Sequence, residues 1–228
     1  MTVSKIDEKT QEEYDKVFKT LQSSKDFQKV WEESKLPVDL KSREHTTLSI
    51  SSMGGNYDAV KYFIEQGADV NARASSFGYT PLMFAAEIAH FNIIELLLDN
   101  GADTGTFGRQ AKSAPLVLLI SNYEIRGNTN DYWKCMDLLL EKTSSRYYRE
   151  VLEETYYRDH KDIFLYILNK NSIPFKTISN VISPFMKNSS PLDDERKIHK
   201  VWLTKKFYDK LETNLNQNTN SLNNKMKI

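Results

Sequence analysis

TPLMFAAEIAHFNIIELLLDNGADTGT, residues 80–106, decides the architecture, because its pattern has already occurred 34 residues earlier as TTLSISSMGGNYDAVKYFIEQGADVNA, residues 46–72. Thr46 answers to Thr80, Leu48 to Leu82, Val60 to Ile94, Gly67 to Gly101 and Asp69 to Asp103. A fixed period of this size is the signature of stacked repeats. Such a chain has no single closed core, and it offers a long face suited to gripping another macromolecule.

Each unit reads as two helices. Thr80-Pro81 opens the first: proline is tolerated where its missing N–H is not needed, and the Thr80 hydroxyl can satisfy free backbone groups. Leu82, Ala85 and Ala86 form a packing side of mostly small residues. A turn near Ala89-His90 leads to a second helix with Ile93, Ile94, Leu96 and Leu97 as its apolar stripe. Gly101 ends it, since glycine takes the left-handed conformation cheaply. Leu48, Ser51, Gly55, Val60, Phe63, Ile64 and Gly67 repeat the logic in the earlier unit.

Outward from these units the pattern decays. Tyr14, Val17, Phe18 and Leu21 fall at i, i+3, i+4 and i+7, one face of a helix. A shorter helix follows with Phe27, Val30 and Trp31, and should stop before Pro37. Downstream, Ala114-Pro115-Leu116 lies 34 residues after Thr80-Pro81-Leu82, but the second helix, KCMDLLLEK, comes late, with about eight residues inserted near 124–131. RDHKDIFLYILNKN aligns with IAHFNIIELLLDNG at an offset of 70, placing His160 over His90 and Leu168 over Leu98.

These residues resemble the ankyrin repeat, whose pattern is a T-P-L-H-x-A-A helix, a G-H turn, an I-V-x-L-L-L helix and a G-A-D-V-N exit into a β-hairpin loop. Met83 and Ser49 replace the family histidine after the leucine, Ala89 replaces the turn glycine, and each loop is one residue longer than the family's period. The resemblance implies an all-α solenoid of helix-turn-helix units with short β-hairpin loops and helical caps at both ends. The expected divisions are an N-terminal cap over 1–40, repeats over 41–73, 75–107, 109–143 and a degenerate 144–173, a C-terminal cap over 174–212 and a disordered polar tail over 213–228.

Composition excludes several classes. Lys plus Arg and Asp plus Glu both number 31, so nothing global points to nucleic acid or an acidic surface. No apolar run reaches membrane-span length, and MTVSKIDEKTQEEYDK has no signal-peptide core, so a cytoplasmic location is expected. The single cysteine excludes an internal disulfide.

Little here promises catalysis, and no enzyme activity, cofactor or metal site is expected. Cys135 aligns with Ile93, a buried helix position where free cysteine acts as a small apolar side chain. His90 and His160 fall at the inter-helix turn, where the family histidine makes a structural hydrogen bond. No histidine pair has metal-ligand spacing and no C-x-x-C exists. The basic segment Arg196, Lys197, Lys200, Lys205 and Lys206, with Trp202 and Phe207, reads as the solvated face of a capping helix.

The resemblance also implies a partner protein, bound on the concave surface of hairpin tips and first helices by a monomeric chain. Those positions hold His45, Met53, Arg73, Phe77, Tyr79, Glu87, Ile88, Phe107, Arg109, Gln110 and Asn122. Aromatic and arginine side chains at tips match the residue types that dominate interface hot spots. A second expectation is an effector delivered by an intracellular bacterium into a host cell. A eukaryotic-type repeat in a short chain rich in Lys, Asn and Ile motivates it, as does a polar tail resembling type IV secretion signals.

Overall fold

The computed structural model describes residues 8–23, 27–38, 45–105, 114–126, 129–144, 147–158 and 160–170. Two compact units, 1–154 and 155–228, divide the chain. The expected cap over 174–212 and tail over 213–228 lie outside the described residues.

In the first unit the helices are α1 (Glu8–Ser23), α2 (Phe27–Ser34), α3 (Thr47–Gly54), α4 (Tyr57–Glu65), α5 (Pro81–Ile88), α6 (Phe91–Asp99), α7 (Pro115–Ser121), α8 (Tyr123–Arg126) and α9 (Asn130–Lys142). Helix α10 (Tyr148–Tyr157) follows. Helices α1, α3, α5 and α7 lie side by side in one row, and α4, α6 and α9 form a second. The N-terminal pair extends both rows: α1 packs on α3, and the Trp31 ring of α2 meets Phe63 edge-on at 4.8 Å.

Helices α5 and α7 of the first row are apolar nearly all round, because each is covered by neighbouring helices on several sides. In α5, Pro81 through Ala86 are all buried, and so are Pro115 through Ile120 in α7. Where α3 places Ser51 and Ser52 in this row, each hydroxyl donates to the carbonyl four residues back, Thr47 at 2.8 Å and Leu48 at 2.7 Å. A buried hydroxyl without such a partner would cost about 1–3 kcal/mol.

Helix starts follow the threonines. Thr46 Oγ1 accepts from Ser49 N at 3.1 Å, while Ser49 Oγ accepts from Thr46 N at 2.9 Å. Thr80 repeats this with Met83, whose Sδ accepts from Thr80 N at 3.4 Å. The residues standing in for the family histidine therefore still close the cap, strongly as serine and weakly as thioether.

The turns share one backbone bond. Asn56 N donates to Ser51 O at 3.1 Å and His90 N to Ala85 O at 3.0 Å. Helix ends share another: Ala68 N donates to Phe63 O and Ala102 N to Leu97 O, both at 2.9 Å, with Gly67 and Gly101 at φ 87° and 84°. The hairpin between the regular units is a single antiparallel bridge, Ala74 to Tyr79, closed by Ala74 N donating to Tyr79 O at 2.7 Å. Ser75 and Gly78 turn it, at φ 62° and 69°.

Two details differ from the sequence pattern. Ile64 and Leu96 of the apolar stripes are half-buried, at the edge of the second-helix row. The delayed second helix of the third unit is also longer than KCMDLLLEK. It starts at Asn130, capped by Thr129 Oγ1 accepting from Tyr132 N at 3.2 Å, and part of the insertion forms α8.

The second unit contributes the end of α10 and α11 (Lys161–Asn169), with Ile163, Phe164 and Ile167 buried. His160 precedes α11 at φ −80° and ψ 76°, close to the −77° and 84° of His90, and its N–H donates to Thr155 O at 3.0 Å. The turn before α11 thus has the backbone geometry of the turn before α6.

Candidate protein-binding face

A row of four aromatic rings crosses the first-helix side. His45 and Tyr79 stand at matching places, each immediately before a capping threonine. Both rings pack on Phe84 of α5, at centroid distances of 5.4 and 5.5 Å. Phe77 then packs on Tyr79 at 5.8 Å. Phe84 is buried at 6% exposure, whereas Phe77 leaves 46% of its surface in solvent. The hairpin therefore presents Phe77 outward on an aromatic base, and Arg73, just before the bridge, is also exposed.

Further along α5 the face turns polar. Met53, Glu87 and Ser121 hold one register across three units, and all three are half-buried. Burial pushes the Glu87 carboxyl above its ordinary range, against the opposing field of Arg126. Burial first, and the Glu87 charge second, raise the Tyr79 phenol. Ile88 is half-buried at the end of α5. Asn122 turns back on its own helix, its Nδ2 donating to Leu118 O at 3.0 Å, which closes α7. Phe107, Arg109 and Gln110 lie outside the described residues.

The insertion adds side chains that the sequence pattern did not single out. Tyr123 of α8 packs on Tyr132 at 5.2 Å and on Trp133 at 6.1 Å. The buried Tyr132 hydroxyl donates to Leu119 O at 3.4 Å. Ile125 is 75% exposed. The charge of Arg126 acts on both Glu87 and His90, so α8 lies near the turn between α5 and α6. The usable signal was the grouping of Tyr123, Tyr132 and Trp133 around the insertion.

At the helix-turn edge a cleft of about 180 Å³ is lined by Gly55, Tyr57, His90, Phe91 and Asp131, among others. Lys134 pairs with Asp131 at 3.0 Å and lies 5.4 Å from the Phe91 ring centroid. Cys135 is buried, and desolvation, followed by the Asp131 charge, pushes its thiol up to about 12. That is the reverse of nucleophile activation. Among the described residues no three His, Cys, Asp or Glu side chains converge as metal ligands, and no helix is long and apolar enough to cross a membrane.

The family model described as ankyrin repeats (3 copies) matches residues 11–107, a span that takes in α2 and most of α1 as well as the two regular units. The mouse ankyrin repeat, SAM and basic leucine zipper domain-containing protein 1 is 32% identical over 109 residues, 48% of this chain and 21% of that protein. The hedgehog Atelerix albiventris protein of the same name is 32% identical over 90 residues, covering 40% of this chain and 18% of its own length. The rabbit protein is 29% identical over 109 residues, with 48% and 21% covered. The chain thus matches about a fifth of the length of these curated relatives. Residues 11–107 are ankyrin repeats, and the fold is that of an all-α repeat stack.

Proposed function

We propose, from the premise that this is an ankyrin-repeat protein, that the chain binds another protein on its first-helix and hairpin face and performs no covalent chemistry. Ankyrin repeats are generally protein-interaction modules. The observation that carries the reading is Phe77, a large aromatic side chain 46% exposed that packs on Tyr79, which in turn packs on Phe84. A ring that already packs against a neighbour has fewer rotamers to lose on binding, and aromatic side chains are typical interface anchors. Glu87, Ile88 and Met53 continue the same face, and Arg73 flanks its tip. The thiol of Cys135 supports the non-enzymatic side, since burial keeps it protonated.

Affinity capture with the full chain, run beside a Phe77→Ala variant of unchanged circular dichroism, tests the reading. Proteins bound by the parent and lost from the variant support it. Equal recovery of the same proteins moves the binding surface away from the hairpin.

A further inference from the structure

Glu87 is the unexplained group on this face. Its place in the register is taken by methionine in the preceding unit and by serine in the next, so the fold does not require a carboxylate there. Ser121 has its need met internally, its Oγ donating to Glu154 Oε1 at 2.8 Å. Among the described residues no donor hydrogen-bonds to Glu87 and no cation pairs with it at contact distance; Arg126, itself exposed, acts only through its field. A half-buried carboxylate without a donor costs stability. It is retained on the face that also carries Tyr79 and the exposed ring of Phe77.

We propose that the occupant of this face is a segment of a partner protein that sets an apolar side chain against Phe77 and Tyr79 and a lysine or arginine against Glu87. The proposal rests on the reading of the preceding subsection. An incoming cation supplies the donor that no described residue gives Glu87, in a site already partly stripped of water, where a charge-assisted hydrogen bond is stronger than at an exposed position. The spacing follows from α5. Glu87 lies seven residues beyond Thr80, about 10 Å along a helix rising 1.5 Å per residue. An extended chain covers that distance in about three residues at ~3.3 Å each. The expected motif is an apolar residue followed, or preceded, three positions away by a basic one.

Selection of a random displayed-peptide library on the full chain tests this, with enriched peptides synthesised and titrated against the parent, Phe77→Ala and Glu87→Gln. The expected result is enrichment of the apolar-x-x-basic pattern, with binding lost in Phe77→Ala and weakened about tenfold or more in Glu87→Gln. Peptides that need Phe77 but lack a basic residue and ignore Glu87→Gln overturn the inference and leave the binding face standing. Peptides indifferent to both substitutions overturn both. A library that yields no binder overturns the inference, since it requires a linear segment.

Discussion

The His90 imidazole packs so closely on Gly55 of the preceding unit that a β-carbon there would lie 2.8 Å from its Cε1. The same ring places Nε2 3.4 Å from the carbonyl oxygen of Met53. One side chain thus ties two consecutive turns, and it is compatible only with glycine beneath it. Gly55 also sits at φ 76°, whereas the equivalent position one unit later is Ala89 at φ 63°. Gly55→Ala should therefore destabilise by about 2 kcal/mol or more, from left-handed strain and the clash together. Ala89→Gly should stabilise by roughly 0.5–1 kcal/mol, because only the strain is relieved. Urea denaturation of the two variants checks the opposite signs.

Asn71 ties the start of the hairpin to the chain leaving α6 with both ends of its amide: Nδ2 donates to Gly101 O at 3.1 Å and Oδ1 accepts from Asp103 N at 2.9 Å. Asn71→Ala should cost about 1–2 kcal/mol, at the modest end because the bonds are solvent-accessible. Hydrogen exchange should localise the effect, with the Asp103 amide exchanging faster.

Two titrations act in opposite senses. Burial is the main cause that holds His90 below its ordinary value of 6.5, with Met53 opposing and Arg126 adding to the depression. Its folded value being depressed, its contribution to stability is present above pH ~6.5 and is lost as pH falls toward the folded value. Glu87 is raised, so folding is favoured by it at low pH and penalised as pH rises through its folded value. Glu87→Gln should therefore raise the urea midpoint at pH 7 and lose that advantage near pH 4. A midpoint lowered at pH 7 would contradict the burial cost assigned to Glu87.

Cys135, fully buried with its thiol at about 12, should resist thiol reagents in the folded protein. Labelling at pH 8 should be slow, follow the urea dependence of opening, and become fast once the chain unfolds. Fast labelling without denaturant would place the thiol at the surface.

The fold was legible where local chemistry and repeat spacing agreed. The capping threonines, Pro81, the turn at Ala89-His90 and the glycines at 67 and 101 each act within a few residues, so their roles could be read without a structure. Cys135 was placed by the 42-residue offset alone and is buried as that alignment requires. What remained hidden depends on contacts between units. Nothing in the chain order brings His45 and Tyr79 onto one phenylalanine, or Arg126 into the field of Glu87. Asn122 was placed on the face by its position at the end of a first helix. Its amide also bonds to Leu118 O, a contact set by local backbone geometry that spacing does not encode. Tyr57, 42% exposed at the turn edge, shares its register with Phe91, but the spacing does not show that both line one cleft.

The central claim is that Phe77 marks the face that meets a partner protein. A photo-crosslinking phenylalanine analogue placed at position 77, and in a separate protein at position 57, tests it directly, because Tyr57 opens α4 at the opposite end of the helices from the hairpins. Adducts to a captured partner formed from position 77 and not from position 57 are the expected result. Adducts from position 57 alone, or from both positions equally, would contradict the account.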